Sequence, residues 1–305
     1  MENYTSILEF HILPFFLNSE YKLLTFSIVF FFLFYLIGIL VNFTIIIVIF
    51  LDQHLHTPMY LFLCNLSVVD MCYTTITIPK LLYICISRDN IIFSSQCLCQ
   101  VYFLYAASTS EVMILLIMAY DRYVAICHPL YYHKILNNKI CILFMMVTWI
   151  SACVNASFMA NAILKMFFCS SATIHQFFCD AKALLNISCA GRDMFYMVVY
   201  INYFVLGVCP VVCHCMSYVQ IFKVILSINS KDGRRKAFST CSSHLSVLVI
   251  FCGSGASAYI TPPSEHSNLP EEICTVFYTT VTPLLNPLIY TLRNKKVKLS
   301  LFKLM

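Results

Sequence analysis

Charged residues are scarce in this 305-residue sequence, at 11% against a hydrophobic share of 60%. Soluble domains carry about 25% charged and about 45–50% apolar residues, so a single globular domain of this composition would be insoluble. Glycine is scarce as well, with six residues. That excludes phosphate-cradling Gly-rich loops, and no P-loop, GxGxxG or HExxH stretch occurs. The formal net charge of +5 is too small for a nucleic-acid footprint. No cofactor is implied. What remains is a long apolar chain with a mean hydropathy of +0.82, suited to lipid.

A helix crossing the roughly 30 Å hydrocarbon core needs about 20 apolar residues. Seven segments meet that length: Leu23–Phe50, Met59–Ile84, Leu98–Tyr120, Ile140–Ile163, Met194–Leu226, Phe238–Ile260 and Ile273–Leu292. The third and seventh are interrupted by polar residues. The expectation is an all-α membrane protein, one domain over 1–305 built as a seven-helix bundle. Met1–Glu20 lacks a basic n-region and an A-x-A-like site, so the first span is expected to act as its own targeting signal.

Lys and Arg set the orientation. With an outer N-terminus (1–22), the inner side holds Arg122, Lys134, Lys139, Lys223, Lys231, Arg234, Arg235, Lys236, Arg293, Lys295, Lys296, Lys298 and Lys303, thirteen of the nineteen cations. The outer side holds six, with most of the acids, including Glu265, Glu271 and Glu272. The cytoplasmic tail, 293–305, alternates cations with Val297, Leu299, Leu301, Phe302 and Leu304. That pattern suits a short amphipathic helix on the anionic inner leaflet.

Most of the seventeen cysteines read as reduced residues within helices. Cys97, at the start of span three, and Cys169, Cys179 and Cys189, in the long outer loop 164–193, lie in an oxidising compartment. These four allow three connectivities that the sequence does not separate, and Cys85 and Cys99 lie nearby. Asn3 heads a glycosylation sequon in the outer N-terminus and Asn186 heads another in the loop. The sequons at Asn42, Asn65 and Asn155 fall inside spans.

Ionisable residues within a span are expensive and point to function. Asp70 and Glu111 are two such, and each must face the bundle interior. A shared cation or proton site and a plain hydrogen-bond network that fixes packing both suit the pair. Asn42 and Asn286 could join it. On span three, Leu104, Ser108, Glu111 and Leu115 share a face, with Tyr105, Thr109, Val112 and Leu116 beside it. The outer half of that stripe mixes aromatics and hydroxyls, as small-molecule pockets do. Span five offers Asn202 and Leu206, and span six Gly255 and Tyr259. Ordinary helix packing uses such residues too. Pro210, Pro283 and Pro287 fall inside spans, where proline marks kinks.

Five stretches resemble one family closely: the vertebrate olfactory receptors, within the rhodopsin-like G-protein-coupled receptors. They are LHTPMYLFLCNLSVVD (Leu55–Asp70), MAYDRYVAICHPLYY (Met118–Tyr132), SYVQI (Ser217–Ile221), KAFSTCSSHLSVL (Lys236–Leu248) and PLLNPLIYTLRNKKVK (Pro283–Lys298). The N-terminal EFHIL and the spacing of the four outer cysteines are similar to the family as well.

The resemblance implies a plasma-membrane receptor that binds a small volatile odorant and activates a stimulatory olfactory G protein, raising cyclic AMP. It implies that Arg122, held at rest by Asp121 beside Tyr123, swings towards Tyr218 and Tyr290 on activation. His244, Asn286 and Pro287 are expected in the same switch. It implies disulfides pairing Cys97 with Cys179 and Cys169 with Cys189. Odorant contacts are implied at Leu104, Tyr105, Ser108, Thr109, Val112, Asn202, Leu206, Cys252, Gly255, Tyr259 and Thr279.

Three positions depart from the family pattern. Val41 stands where glycine usually precedes the span-one Asn, Cys252 where an aromatic lines the pocket floor, and Pro14 where glycine is typical. Other classes fit less well. A transporter would string ionisable residues across the membrane or repeat its halves. An opsin needs a lysine in span seven, and Ile273–Leu292 has none. An amine receptor carries an aspartate where Leu104 stands. An enzyme needs a nucleophile paired with a base, and His244 beside its serines lies at the inner end of span six.

Overall fold

The computed structural model describes residues 9–17, 20–168, 173–260, 269–293 and 295–304. The side chains of His244, Gly255, Tyr259 and Tyr290 lie outside the described set, as do Asn3 and Cys169.

Among the described residues, five helices are long and apolar enough to cross a membrane: α1 (Tyr21–Leu51), α2 (Pro58–Ser87), α3 (Ser94–Cys127), α5 (Asn138–Leu164) and the continuous run Asp193–Ser227. A short α4 (Tyr132–Ile135) sits between α3 and α5. The run Asp193–Ser227 comprises α7 (Asp193–Asn202), a π-helical segment (Tyr203–Val208) and α8 (Cys209–Ser227). After it come α9 (Lys231–Ile260), α10 (Leu269–Val276), a second π segment (Phe277–Val281), α11 (Thr282–Arg293) and α12 (Lys295–Leu304). The helices overrun the apolar segments read from sequence: α3 adds about one turn at its start and about two at its end. Backbone satisfaction rather than side-chain hydropathy sets a helix end, and polar residues continue the ladder once lipid is left behind.

α2 and α3 form the centre. Each buries 56% of its most apolar stretch, against 28% for α1 and α5 and 17% for Asp193–Ser227. The outer helices turn large apolar side chains outward, including Phe26, Phe50, Ile150 and Tyr200, the arrangement expected where lipid replaces water.

Both π segments stop just short of a proline, at Val208 ahead of Pro210 and at Val281 ahead of Pro283. Proline has no N–H and its ring crowds the carbonyl one turn back, so a wider turn relieves both problems. In the second case the Phe277 carbonyl accepts both the Thr282 N–H and Thr282 Oγ1, the latter at 3.1 Å. Pro79, inside α2, is a further span proline.

The end of the bundle that holds the N-terminal segment carries structure that periodicity does not reveal. β1 (Glu9–Ile12) pairs antiparallel with β2 (Ile91–Phe93) and parallel with β4 (Thr173–Ile174). A separate ribbon joins β3 (Phe167–Phe168) to β5 (Ser188–Ala190), with α6 (Ala181–Ile187) between β4 and β5. Phe16 stacks on Phe177 with ring centroids 5.5 Å apart and lies 5.8 Å from Phe31. The turn after Pro14 closes through Leu17 N–H to the Pro14 carbonyl, 3.0 Å. Arg88 donates to the Leu17 carbonyl, and the Phe15 N–H donates to Glu272 Oε2 at 3.1 Å. Glu272, read from sequence as an outer-loop acid, is therefore buried. It sits in the first turn of α10, where the orphan N–H groups favour a carboxylate.

At the opposite end, α12 lies against α1. Val297 and Ser300 are buried, and Ser300 Oγ donates to the Asp52 carboxylate. Leu299 points outward instead. Among the described side chains of the tail, Val297, Ser300 and Leu301 pack inward and Leu299 does not.

Candidate functional site

Three polar clusters lie along α3. The outermost is built around Tyr278 in the π segment Phe277–Val281. Its hydroxyl is 3.1 Å from Ser108 Oγ. Its ring stands edge-on to Tyr73, 5.9 Å between centroids, and 6.0 Å from Phe251. Neither span periodicity nor the family resemblance singled out Tyr278. The extra residue in a π turn rotates the rest of the helix relative to a regular one, so a face counted at 3.6 residues per turn misses it.

The other expected pocket residues divide. Leu104 is buried, and Tyr105, Ser108 and Val112 are half-buried on the same side of α3. Thr109 turns to α5, where its hydroxyl accepts from Asn155 Nδ2 at 2.9 Å. Thr279 donates back to the Thr275 carbonyl of its own helix at 2.8 Å. Asn202 Nδ2 is buried without a partner, just before the π segment that carries Leu206. Cys252 is exposed, near Cys215 of α8. The side chains of Gly255 and Tyr259 lie outside the described residues. The described cavities, of about 570 and about 360 Å3, lie elsewhere, between α2 and α5.

The central cluster begins one turn along α3, at Glu111. Asn286 of α11 uses both amide hydrogens, donating to Asp70 Oδ1 and to Glu111 Oε1, each at 3.1 Å. Both carboxylates are buried, and Asp70 Oδ2 has no partner. One amide thus ties α2, α3 and α11 together. Asn42 is adjacent but separate: it donates to the Gly38 carbonyl at 3.0 Å and to Pro283 at 3.4 Å. Among the described residues no group of three or more metal-ligating side chains occurs.

The innermost cluster lies at the end of α3. Arg122 pairs with Asp121, and the Tyr132 hydroxyl donates to Asp121 Oδ1 at 2.7 Å. Burial together with the Asp121 carboxylate pushes the Tyr132 phenol pKa upward, keeping it a donor. Sequence reading puts Arg122 at an edge where it reaches water. Instead its side chain is only 12% exposed and Asp121 is 0% exposed. A buried pair loses hydration, so Asp121 needs the second donor that Tyr132 supplies. Tyr218 is buried within electrostatic reach of Arg122. Tyr123 turns away, 3.2 Å from His128 Nε2. Pro287 is buried within α11.

At the end of the bundle that holds β1, Cys97 is bonded to Cys179 across 82 residues, and Cys189 is also disulfide-bonded. Gln100, one turn below Cys97, accepts from the Cys179 N–H at 2.9 Å and donates to the Ile76 carbonyl at 2.8 Å. The outer loop is therefore fastened to α3 by covalent and hydrogen bonds at neighbouring positions.

A family model described as olfactory receptor matches residues 31–305, from α1 through α12. The chain belongs to the olfactory receptor family. It is 41% identical to olfactory receptor 1G1 of gorilla over 303 residues, covering 99% of this chain and 96% of that one. Human olfactory receptor 1M1 is 40% identical over 302 residues, with 99% and 96% covered. Olfactory receptor-like protein OLF4 of dog is 39% identical over 298 residues, with 98% and 96% covered. The family is one of receptors and not of enzymes. Membership and the five apolar helices together fit a multi-pass plasma-membrane protein with an odorant-receptor role.

Proposed function

We propose that the chain is a seven-helix odorant receptor, with Lys231–Ile260 and Leu269–Arg293 as its sixth and seventh spans. In this reading a small, neutral, hydrophobic volatile binds among α3, the Asp193–Ser227 helix, α9 and the α10–α11 helix. The receptor then activates a stimulatory olfactory G protein and raises cyclic AMP. The N-terminus (1–22) and the loop 164–193 are extracellular, with Asn3 glycosylated and Cys169 paired with Cys189. The tail 293–305 is cytoplasmic.

The Ser108–Tyr278 contact is the observation that carries the reading. It joins the aromatic and hydroxyl end of α3 to the helix that bears Asn286. A ligand displacing the Tyr278 hydroxyl changes the position of a helix that also holds the Asp70 and Glu111 carboxylates. Those carboxylates, of which Asp70 Oδ2 is buried without a hydrogen-bond partner, are the place for a cation or proton that comes and goes with activation. At the inner end the Asp121–Arg122 pair is the resting latch. Its release frees Arg122 towards Tyr218 and Tyr290, while His244 and Pro287 accompany the movement of their helices.

The test is a chemically diverse odorant panel applied to cells carrying the receptor, the olfactory G protein and a cyclic AMP reporter. At least one neutral volatile should raise cyclic AMP in a saturable manner, and cells without the receptor should stay silent. Uniform silence despite surface delivery would overturn the reading.

A further inference from the structure

The proposed mechanism leaves unused a cleft between α2 and α5, at the end of the bundle that carries Arg122. It has two compartments. The first is an open cavity of about 570 Å3 where the two helices begin, lined by His56, Pro58, His133, Asn138 and Lys139 among others. The second is an apolar groove of about 360 Å3, walled by Leu61, Ile142, Met146 and Ile150 over Met145 and Trp149. Leu61 follows Pro58 by one turn of α2, and Ile142 follows Lys139 by one turn of α5. Residues three apart lie on one face of a helix, so the groove continues the cavity along the same two helices.

The chemistry changes sharply between the compartments. Two imidazoles, an ammonium group, two amides and a hydroxyl line the cavity, and no carboxylate does. α5 adds backbone donors. Its cap residue Asn137 accepts from Ile140 N–H at 3.0 Å, which leaves the Asn138 and Lys139 N–H groups with no carbonyl upstream. Such donors and the helix dipole favour an anion. In the groove the polar atoms are already engaged: Trp149 Nε1 donates to Asn65 Oδ1 at 3.1 Å, and Asn65 Nδ2 donates to the Leu61 carbonyl at 2.9 Å. Ile142, Met146 and Ile150 are each more than half exposed, so the groove wall is accessible and presents only carbon and sulfur.

We propose that this cleft binds one anionic phospholipid, its phosphate-bearing headgroup in the cavity and one acyl chain in the groove. The Lys139 ammonium and the backbone donors of α5, a turn away from an apolar channel, match an amphiphile with a negative head; a soluble anion would leave the groove unfilled, and a sterol would bring no anion to Lys139. The proposal rests on the orientation in which the N-terminus is extracellular, which sets this end at the anionic inner leaflet. Occupancy would brace the start of α5 against α2 beside Tyr132, the partner of Asp121.

Native mass spectrometry of the purified full-length receptor in mixed micelles tests it, with phosphatidylinositol 4,5-bisphosphate as the probe and phosphatidylcholine as the competitor. The wild type should retain one phosphoinositide in preference to phosphatidylcholine. The His133→Glu, Lys139→Glu double variant should lose about tenfold in occupancy, since it removes the Lys139 cation that attracts an anionic headgroup and sets two carboxylates against the phosphate. Lys134→Glu, a charge reversal next to the cavity but not in it, should change little. Met146→Trp, which fills the groove, should also lower occupancy. Equal retention of both lipids by the wild type would overturn the proposal, and that comparison needs no variant. Displacement of the lipid by soluble inositol trisphosphate alone would show a free-phosphate site and overturn the acyl-chain half. Staining of an N-terminal epitope on intact cells checks the orientation separately, since binding in micelles does not depend on sidedness.

Discussion

Tyr278 of the π segment holds its hydroxyl 3.1 Å from Ser108 Oγ on α3. The contact joins two helices at the level where the proposed odorant sits, one turn above Glu111. A hydrogen bond between neutral groups contributes about 0.5–1.5 kcal/mol. Ser108→Ala and Tyr278→Phe should each shift agonist potency by roughly threefold to tenfold. The double variant should be little worse than either single one, because both remove the same bond. Concentration–response curves for one agonist across the four proteins check this. Fully additive shifts would show that the two residues act independently.

Asn286 is the sole described donor to both buried carboxylates. Asn286→Leu leaves both acceptors without it, at a cost of about 1–3 kcal/mol for each unpaired buried group and more if charged. Thermal unfolding of the detergent-purified variant should begin several degrees below wild type. Glu111→Gln, which keeps an acceptor oxygen for Asn286, should fall between them. An unchanged midpoint for Asn286→Leu would mean that another donor, unseen in the resting arrangement, serves the pair.

How much of this is legible in the sequence depends on which force sets each feature. Helices at the first five apolar segments are legible because twenty apolar residues have few alternatives in a bilayer. Asp70 and Glu111 are legible because their burial is so costly. The link through Asn286 is only one of several options, since it depends on how α11 rotates. Tyr278 is hidden for a related reason, as the π turn changes the face count just before Pro283. The β1 sheet is hidden because Glu9–Ile12 is too short to show alternation and its partners lie far away in sequence. Arg122 reads as solvent-exposed because sequence locates a helix end but not what covers it. Here Tyr132 and the Tyr218 helix do.

The outer cap should matter for stability rather than for signalling itself. Phe16 is buried among Phe31 and Phe177, and a Phe→Ala truncation in such a core costs about 3–5 kcal/mol. Phe16→Ala should therefore reduce surface delivery, measured by flow cytometry of an epitope-tagged receptor. Normal surface levels would show that the N-terminal segment is dispensable.

Loss of the Cys97–Cys179 bridge should be more severe than loss of its neighbouring hydrogen bonds. Removing a native disulfide costs about 2–5 kcal/mol, whereas Gln100→Ala removes two hydrogen bonds at about 1 kcal/mol each. Surface delivery should rank wild type, then Gln100→Ala, then Cys97→Ser. If Cys97→Ser matched wild type, the loop would be held by its packing and not by the bridge.

The coupling claim is tested most directly by the odorant-evoked cyclic AMP response of Arg122→Ala, compared with wild type at matched surface level. The account predicts that the response disappears while surface delivery continues, because the latch residue that leaves Asp121 for Tyr218 is gone. A response of undiminished amplitude would contradict it.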